Sequence, residues 1–359
     1  MKSVVNTTQT RTCRQRKNLE LIPQIHIITK YKMKSYISKI RELTIIKPIL
    51  KSLLLKDQKK WNLMCGSLDA IESTQLAMDS YNGLKKDGIK DLGLEYLIVY
   101  GLFQALYVQQ DSMYNLCKSV NVPMPKRNLK AKHPELYEVR ELRNKGIGHP
   151  TPNDKDEKKD THSMLIEGDS IKLYSYTEAG EFSFSTYKIS ECIETQNQSL
   201  CTIIQQVIKK MKSMEQKHKD KYMQNKLRDN FPTDPQYCIG KLFEAINLID
   251  VEDQEESLPQ RIGRETRIHL AFSHAETLIK AINKFKGEFT KRGLQDVYVS
   301  IEIEHSKYPL EKLKKYFSST SESSINSQDA RAYADSAEKH ILELVTHAQN
   351  LDSEYSSTT

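Results

Sequence analysis

The chain has 359 residues, of which 38% are hydrophobic and 28% charged, so it can bury a core beneath a strongly charged surface. It holds no apolar run of about eighteen residues, which argues against a membrane-spanning helix. No two of its six cysteines are spaced C-x-x-C, which argues against a cysteine zinc site and favours a reducing, cytoplasmic compartment.

Residues 1–60 form a strongly basic segment. They contain fifteen lysines and arginines against three acids, a net charge of +12 where the whole chain has +7, which leaves −5 for the remainder. We predict a partly disordered leader with a short helix at Ile45–Leu55. Such a leader can attract nucleic acid without sequence preference.

Apolar residues recur at helical spacing over Trp61–Tyr81 and Leu92–Val120. The second segment is apolar on two sides, which is typical of a helix inside a bundle or at a subunit interface. Its aromatic stripe consists of Tyr96, Tyr100, Phe103, Tyr107 and Tyr114. Core or dimer packing is the favoured interpretation of this stripe, and stacking on nucleobases is the alternative.

A proline-containing stretch then interrupts the helical pattern. It carries four basic residues with no acid among them, Lys126, Arg127, Lys130 and Lys132. We interpret them either as a solvated loop or as a loop that contacts the phosphates of RNA. A short helix over Glu135–Lys145 follows.

The remaining pattern completes a mainly α prediction. Alternating residues predict a small antiparallel β-meander at 163–189, followed by a helix over Cys192–Tyr222. Prolines and aspartates at Arg228–Gln236 predict a domain boundary. We expect a helical bundle at 61–228, a helix-rich region at 236–351 with at most one or two strands, including one at Val297–Ile303, and a disordered tail at 352–359.

The stretch RNKGIGHP, Arg143–Pro150, contains residue types suited to cleaving RNA without a metal. A histidine can take a proton from the ribose 2′-hydroxyl, and a guanidinium can stabilise the charge that develops on the phosphorane. Gly146 and Gly148 permit left-handed backbone, which would let His149 fold back towards Arg143. An ordinary helix end is the alternative interpretation.

The sequence LRNKGIGHP resembles the signature of the HEPN family of helical-bundle proteins, and the resemblance extends over roughly Trp61–Met223. It implies a metal-independent endoribonuclease that acts as a homodimer, in a toxin–antitoxin, phage-defence or stress role. Arg143 would steady the phosphate, His149 would move protons and Asn144 would orient one of them. Other members have lost activity and serve as dimerisation, binding or scaffold modules. The inserted meander and the two glycines depart from the family pattern.

Other histidine pairs do not predict a metal site. His269 and His274 are five apart, which is unsuited to one helix turn, and His340 and His347 have no carboxylate or cysteine at a spacing that would complete a ligand set. We therefore expect no metal and no cofactor. The expected partners are RNA, a second copy of the chain and, if the resemblance holds, a separate antitoxin or regulatory protein, with no membrane.

Overall fold

The computed structural model of the chain describes residues 22–124, 128–148, 150–151, 160–249, 257–294, 296–318 and 325–357, with side chains from Lys32 onward except at 86 and 87. The helices of this part are α1 (Ile22–Ile46), α2 (Pro48–Leu55), α3 (Gln58–Asp87), α4 (Leu92–Ser119), α5 (Leu129–Lys132), α6 (Pro134–Arg143), α7 (Ile189–Tyr222), α8 (Pro235–Ile249), α9 (Leu258–Lys291), α10 (Val297–Ser318) and α11 (Ser327–Ser356). The strands are β1 (Thr161–Glu167), β2 (Ser170–Tyr176) and β3 (Phe182–Lys188). The predicted mainly α fold with a small inserted meander is confirmed.

Among the described residues, no helix is both long enough and apolar enough to cross a bilayer.

The chain forms two compact units. The first comprises the described residues of Met1–Lys39, Gly66–Cys117 and Pro123–Gln206, and the second those of Ile40–Cys65, Lys118–Val122 and Val207–Thr359. The long helices α1, α3 and α7 each contribute residues to both units. Composition breaks in the sequence could not reveal most of this division, because all but one of its boundaries fall inside helices.

The predicted boundary at Arg228–Gln236 does not separate the units, since both of its sides belong to the second one. The backbone N–H groups of Leu227 and Arg228 each donate to a carboxylate oxygen of Asp352 at 2.8 Å. Phe231 is buried in the core of this unit. The prolines and aspartates therefore shape a packed connection rather than a linker.

The predictions for the two chain ends are also corrected. The tail predicted at 352–359 is helical as far as Ser356, and Tyr355 is buried. Helices α1 and α2 occupy most of the leader, where Met33 and Ile37 are buried. Residues 1–21 lie outside the described residues, so the disorder predicted there is untested.

The meander is a three-stranded antiparallel sheet in the order β1-β2-β3. Its inner face buries Ile166, Ile171 and Leu173 in the core of the first unit, together with residues of α4 and α6. Gly168, with a φ of 60°, makes the tight turn between β1 and β2. The sheet thereby covers the end of α6.

A glutamine network links the helices of the first unit. The Nε2 group of Gln196 donates to Gln109 Oε1 at 3.0 Å, and Gln196 Oε1 accepts from Gln110 at 2.8 Å. Gln109 also donates to Gln75 at 3.3 Å, and Gln110 donates to the carbonyl of Leu136 at 3.1 Å. All four glutamines are buried, so these hydrogen bonds fix how α3, α4, α6 and α7 pack.

The second unit contains a buried charge cluster. Lys219 on α7 lies 3.1 Å from Glu215 and 3.3 Å from Glu354, and it donates to the carbonyl of Ser357 at 3.3 Å. The side chains of Lys219 and Glu215 are 2% and 0% exposed. Lys47 also contacts Glu354, at 3.1 Å. This cluster ties α7 to the end of α11.

The strand predicted at Val297–Ile303 is wrong, because these residues begin α10. Val297 and Ile301 are exposed, whereas Val299 and Ile303 are buried at the four-residue spacing of a helix. Leu310 continues the buried stripe. Apolar residues on the exposed face created the alternation that resembles a strand.

Candidate functional site

Helix α6 does not stop at Arg143 but continues as a π-helical turn over Asn144–Gly148. Its buried face consists of Leu136, Val139 and Leu142, as predicted. The expected left-handed backbone at the two glycines is wrong, since neither is among the glycines with a positive φ. Such wide turns occur often at functional sites.

Both glycines of this turn lie in close contact with a side chain. A Cβ on Gly146 would lie 2.9 Å from the sulfur of Met164, so the turn packs directly against the meander. A Cβ on Gly148 would lie 2.6 Å from Nη1 of Arg143 and 3.2 Å from its Cζ. The guanidinium therefore packs against the backbone of Gly148, the residue that precedes His149 in the sequence.

Among the described residues, three neutral groups hold the Arg143 guanidinium. Its Nε and Nη2 donate to Gln104 Oε1 on α4 at 3.2 and 2.8 Å, and its Nη1 donates to Asn144 Oδ1 at 3.2 Å. The centroid of the Tyr107 ring lies 4.7 Å from Cζ. Among the described residues, no carboxylate forms an ion pair with Arg143. Its orientation is fixed while its charge remains available to an anion.

Arg140, one turn earlier on α6, has a different environment. Its guanidinium forms an ion pair with Asp111 on α4 and lies 4.1 Å from the centroid of the same Tyr107 ring. Arg140 thus joins α6 to α4 with its charge compensated. Of the two arginines stacked on Tyr107, only Arg143 keeps an uncompensated charge among the described residues.

The aromatic stripe of α4 serves mainly to pack the first unit. Phe103 is buried, and the hydroxyl of Tyr96 donates to the carbonyl of Met164 at 3.3 Å. Tyr107 is half-buried beneath the two arginines. Tyr100, in contrast, is 37% exposed. Core packing, the favoured interpretation of this stripe, is confirmed for Phe103 and Tyr96.

The predicted site residues divide into those outside and those inside the described part of the chain. His149, Lys126 and Arg127 lie outside the described residues. Lys130 and Lys132 are exposed on the short helix α5, which packs against α6. The Nζ group of Lys130 lies 5.5 Å from the ring centroid of Tyr137. The structure therefore brings together Arg143 and Asn144, and it places two of the four basic loop residues at the surface.

His162 on β1 was missed by the sequence analysis. Its backbone N–H donates to the carbonyl of Pro150 at 2.6 Å, and its Nδ1 lies 2.9 Å from the hydroxyl of Ser175. Burial, together with the nearby charge of Lys145, lowers the pKa of His162 below its ordinary value. This shift favours the neutral imidazole. Its backbone fixes the chain at Pro150, directly after His149.

Comparisons of the chain with protein-family models, with curated proteins and with solved structures found no match.

Proposed function

We propose that the protein is a metal-independent endoribonuclease of the HEPN type, cleaving RNA by attack of the ribose 2′-hydroxyl. One observation carries the proposal. The Arg143 guanidinium is oriented by neutral acceptors, without an ion pair to a described carboxylate, and it packs against Gly148, the neighbour of His149. A phosphate binding to this fork would come close to the chain segment that carries the histidine.

The chemistry assigns a role to each residue. His149 takes the proton of the 2′-hydroxyl as the new P–O bond forms, and a histidine returns a proton to the departing 5′-oxygen. Arg143 donates through the N–H groups that Gln104 and Asn144 leave unused, and so stabilises the extra negative charge of the phosphorane. Asn144 steadies Arg143 through its side-chain oxygen.

Cleavage of a single-stranded RNA in excess chelator tests the proposal. The wild type should cleave, and His149→Ala should reduce the rate by at least about 100-fold because the proton acceptor is gone. His269→Ala, which changes an exposed histidine on α9, is the matched control and should cleave like the wild type. Equal cleavage by His149→Ala, or a strict need for added divalent metal, would refute the proposal.

The proposed active form is a homodimer that forms through an exposed apolar face of α4. Leu94, Leu97 and Tyr100 lie on this face, and Leu97 is 68% exposed. A Cβ on Gly101 would meet no atom within 4 Å, so a second helix could approach closely here. Gln104, which holds Arg143, is exposed one turn further along α4. A second copy of the chain on this face would bring two Arg143 sites together, and this supports a second copy as the partner.

Size-exclusion chromatography with light scattering tests this interface. The wild type should elute as a dimer, and Leu97→Glu should elute as a monomer because a carboxylate would be buried without a partner. Leu258→Glu, at another highly exposed leucine, should remain dimeric. A monomeric wild type, or a dimer that tolerates Leu97→Glu, would contradict the proposed interface.

A non-catalytic binding module is the second candidate, and the outer face of the meander favours it. Tyr174, Tyr176, Phe182 and Phe184 form a cluster of rings there, with centroids 5.9 Å apart for the stacked pair Tyr174 and Phe182. Phe182 and Phe184 are exposed. Such a surface can stack unpaired bases. A wild type that binds RNA without cutting it would favour this candidate over the nuclease.

The biological setting is also a proposal. The nuclease would act on cytoplasmic RNA as a toxin or as a defence or stress effector, restrained by a separate antitoxin or regulatory protein. Only the resemblance of the Arg143–Pro150 stretch supports this setting.

A further inference from the structure

Four metal-ligating side chains converge between α10 and α11 of the second unit. Glu302 and His305 lie three residues apart on α10, and His340 and Glu343 lie three residues apart on α11. The donor atoms of Glu302, His305 and His340 all lie within 4.8 Å of one another. Residues three apart share one helix face, so each helix presents one imidazole and one carboxylate to the same place.

The contacts within the cluster are close. Nδ1 of His340 lies 2.6 Å from Oε2 of Glu302 and 3.6 Å from Oε2 of Glu343. The rings of His305 and His340 have centroids 5.1 Å apart at an interplanar angle of 62°. Two carboxylates therefore approach one imidazole while a second imidazole lies beside it. A cation among these four groups would relieve the repulsion between the carboxylates.

From this geometry we propose that Glu302, His305 and His340 bind a first-row divalent metal ion of the Zn²⁺ class, with Glu343 as a fourth ligand or as a hydrogen-bond partner of His340. Imidazole nitrogen with carboxylate oxygen is a donor set that suits Zn²⁺, Co²⁺ and Ni²⁺, whereas Mg²⁺ and Ca²⁺ prefer oxygen alone. This site is independent of the proposed nuclease.

The rearrangement that the ion requires is small. Zinc lies about 2.0 Å from imidazole nitrogen and carboxylate oxygen, so two tetrahedral ligand atoms lie about 3.3 Å apart. Glu302 and His340 would separate by about 0.7 Å from their present 2.6 Å, and His305 would turn towards them. His305 is exposed and has room to turn.

An ion has a path to the site. His305 lines a cavity of about 1330 Å³ in the second unit, together with residues of α2, α9 and α10 and with His347 of α11. The imidazole of His340 is 17% exposed and that of His305 is at the surface, so the ion would join an inner ligand to an outer one. Binding would cross-link α10 to α11.

Calorimetric titration of the full-length chain, freed of metal and of chelator, tests the site with Zn²⁺ alone and with Mg²⁺ alone. The wild type should bind one equivalent of Zn²⁺ and no Mg²⁺ at the same concentration. His305→Ala and Glu302→Gln should weaken Zn²⁺ binding by at least about 100-fold, since even the partners of metal ligands contribute about 10- to 100-fold. His269→Ala, the exposed control on α9, should bind like the wild type.

A thermal melt provides the second readout. Zn²⁺ should raise the melting temperature of the wild type and of His269→Ala but not that of His305→Ala, because an ion that binds only the folded chain stabilises it. His305 is exposed, so its replacement leaves the core intact. A wild type that does not bind Zn²⁺, or a His305→Ala variant that binds it as tightly as the wild type, would overturn the proposal.

Discussion

Arg143→Lys should slow RNA cleavage by about 100- to 1,000-fold, the loss found when one donor to a developing charge is removed. Lysine keeps the positive charge but lacks the planar fork, so it cannot donate to Gln104 and Asn144 while also presenting two N–H groups to a phosphate. The single-turnover rate on a single-stranded RNA in chelator measures the effect.

The matched control is Arg261→Lys, which changes an exposed arginine on α9 and should leave the rate unchanged. The melting temperature of Arg143→Lys should remain close to that of the wild type, because the partners of Arg143 are neutral and no described carboxylate is left unpaired. A rate within about threefold of the wild type would show that Arg143 does not contact the reacting phosphate.

Gly148→Ala tests whether the position of the Arg143 guanidinium matters, because it moves this group without removing it. The new methyl group would lie 2.6 Å from Nη1 of Arg143, so the guanidinium must move away. The backbone itself accepts alanine because φ at this position is not positive. We therefore expect slower cleavage with an unchanged or higher melting temperature. Loss of stability together with activity would instead indicate that the contact only supports the fold.

Lys219→Met should lower the free energy of unfolding by about 3–5 kcal/mol, because it leaves buried charge without its partner. Among the described residues, Glu215, whose side chain is fully buried, would retain only Lys47 at 4.0 Å. Chemical denaturation followed by circular dichroism measures the change. Lys217→Met, on an exposed position of the same helix, should change the stability by less than about 0.5 kcal/mol.

The double variant Lys219→Met with Glu215→Leu should recover much of the loss, since an apolar pair of similar volume can replace a buried ion pair. No recovery would mean that Lys219 stabilises α7 and α11 chiefly through its contacts with Glu354 and Ser357.

The free energy of unfolding at acidic pH gives a second measurement of this charge cluster. Burial alone would raise the pKa of Glu354, but the hydrogen bond from Lys47 and the charges of Lys219 and Lys47 outweigh it and lower the pKa below its ordinary value of 4.5. The stability from this carboxylate is therefore present above about pH 4.5 and is lost as the pH falls through the lowered pKa. The stability of Lys219→Met should change less over that range than that of the wild type.

The elements that the sequence predicts well are those whose pattern depends only on their own residues. The aromatic stripe of α4, the apolar face of α6 and the meander follow from spacing alone. Arg143 and Asn144 are adjacent in the sequence, so their contact needs no tertiary information. Gln104, which precedes Arg143 by 39 positions, could not be predicted because its role depends on how α4 packs on α6.

The candidate metal cluster was missed for a related reason. The alternation at Val297–Ile303 hides a helical stripe, and in a strand Glu302 and His305 would point to opposite faces. Once this segment is a helix, the two side chains share a face. The residues that lie beside His340 in the candidate cluster, Glu302 and His305, come from the neighbouring helix α10. His347, seven residues further along α11, does not belong to the cluster.

The support of Arg143 by amide and aromatic side chains has a consequence for kinetics. Neither the Gln104 amide nor the Asn144 amide gains or loses a proton in the pH range where proteins stay folded. The hydrogen bonds that orient the guanidinium therefore do not depend on pH. An arginine held by carboxylates would be released on acidification. For the proposed cleavage, we therefore expect the variation of the rate between mildly acidic and neutral solution to report on the ionisation of an imidazole.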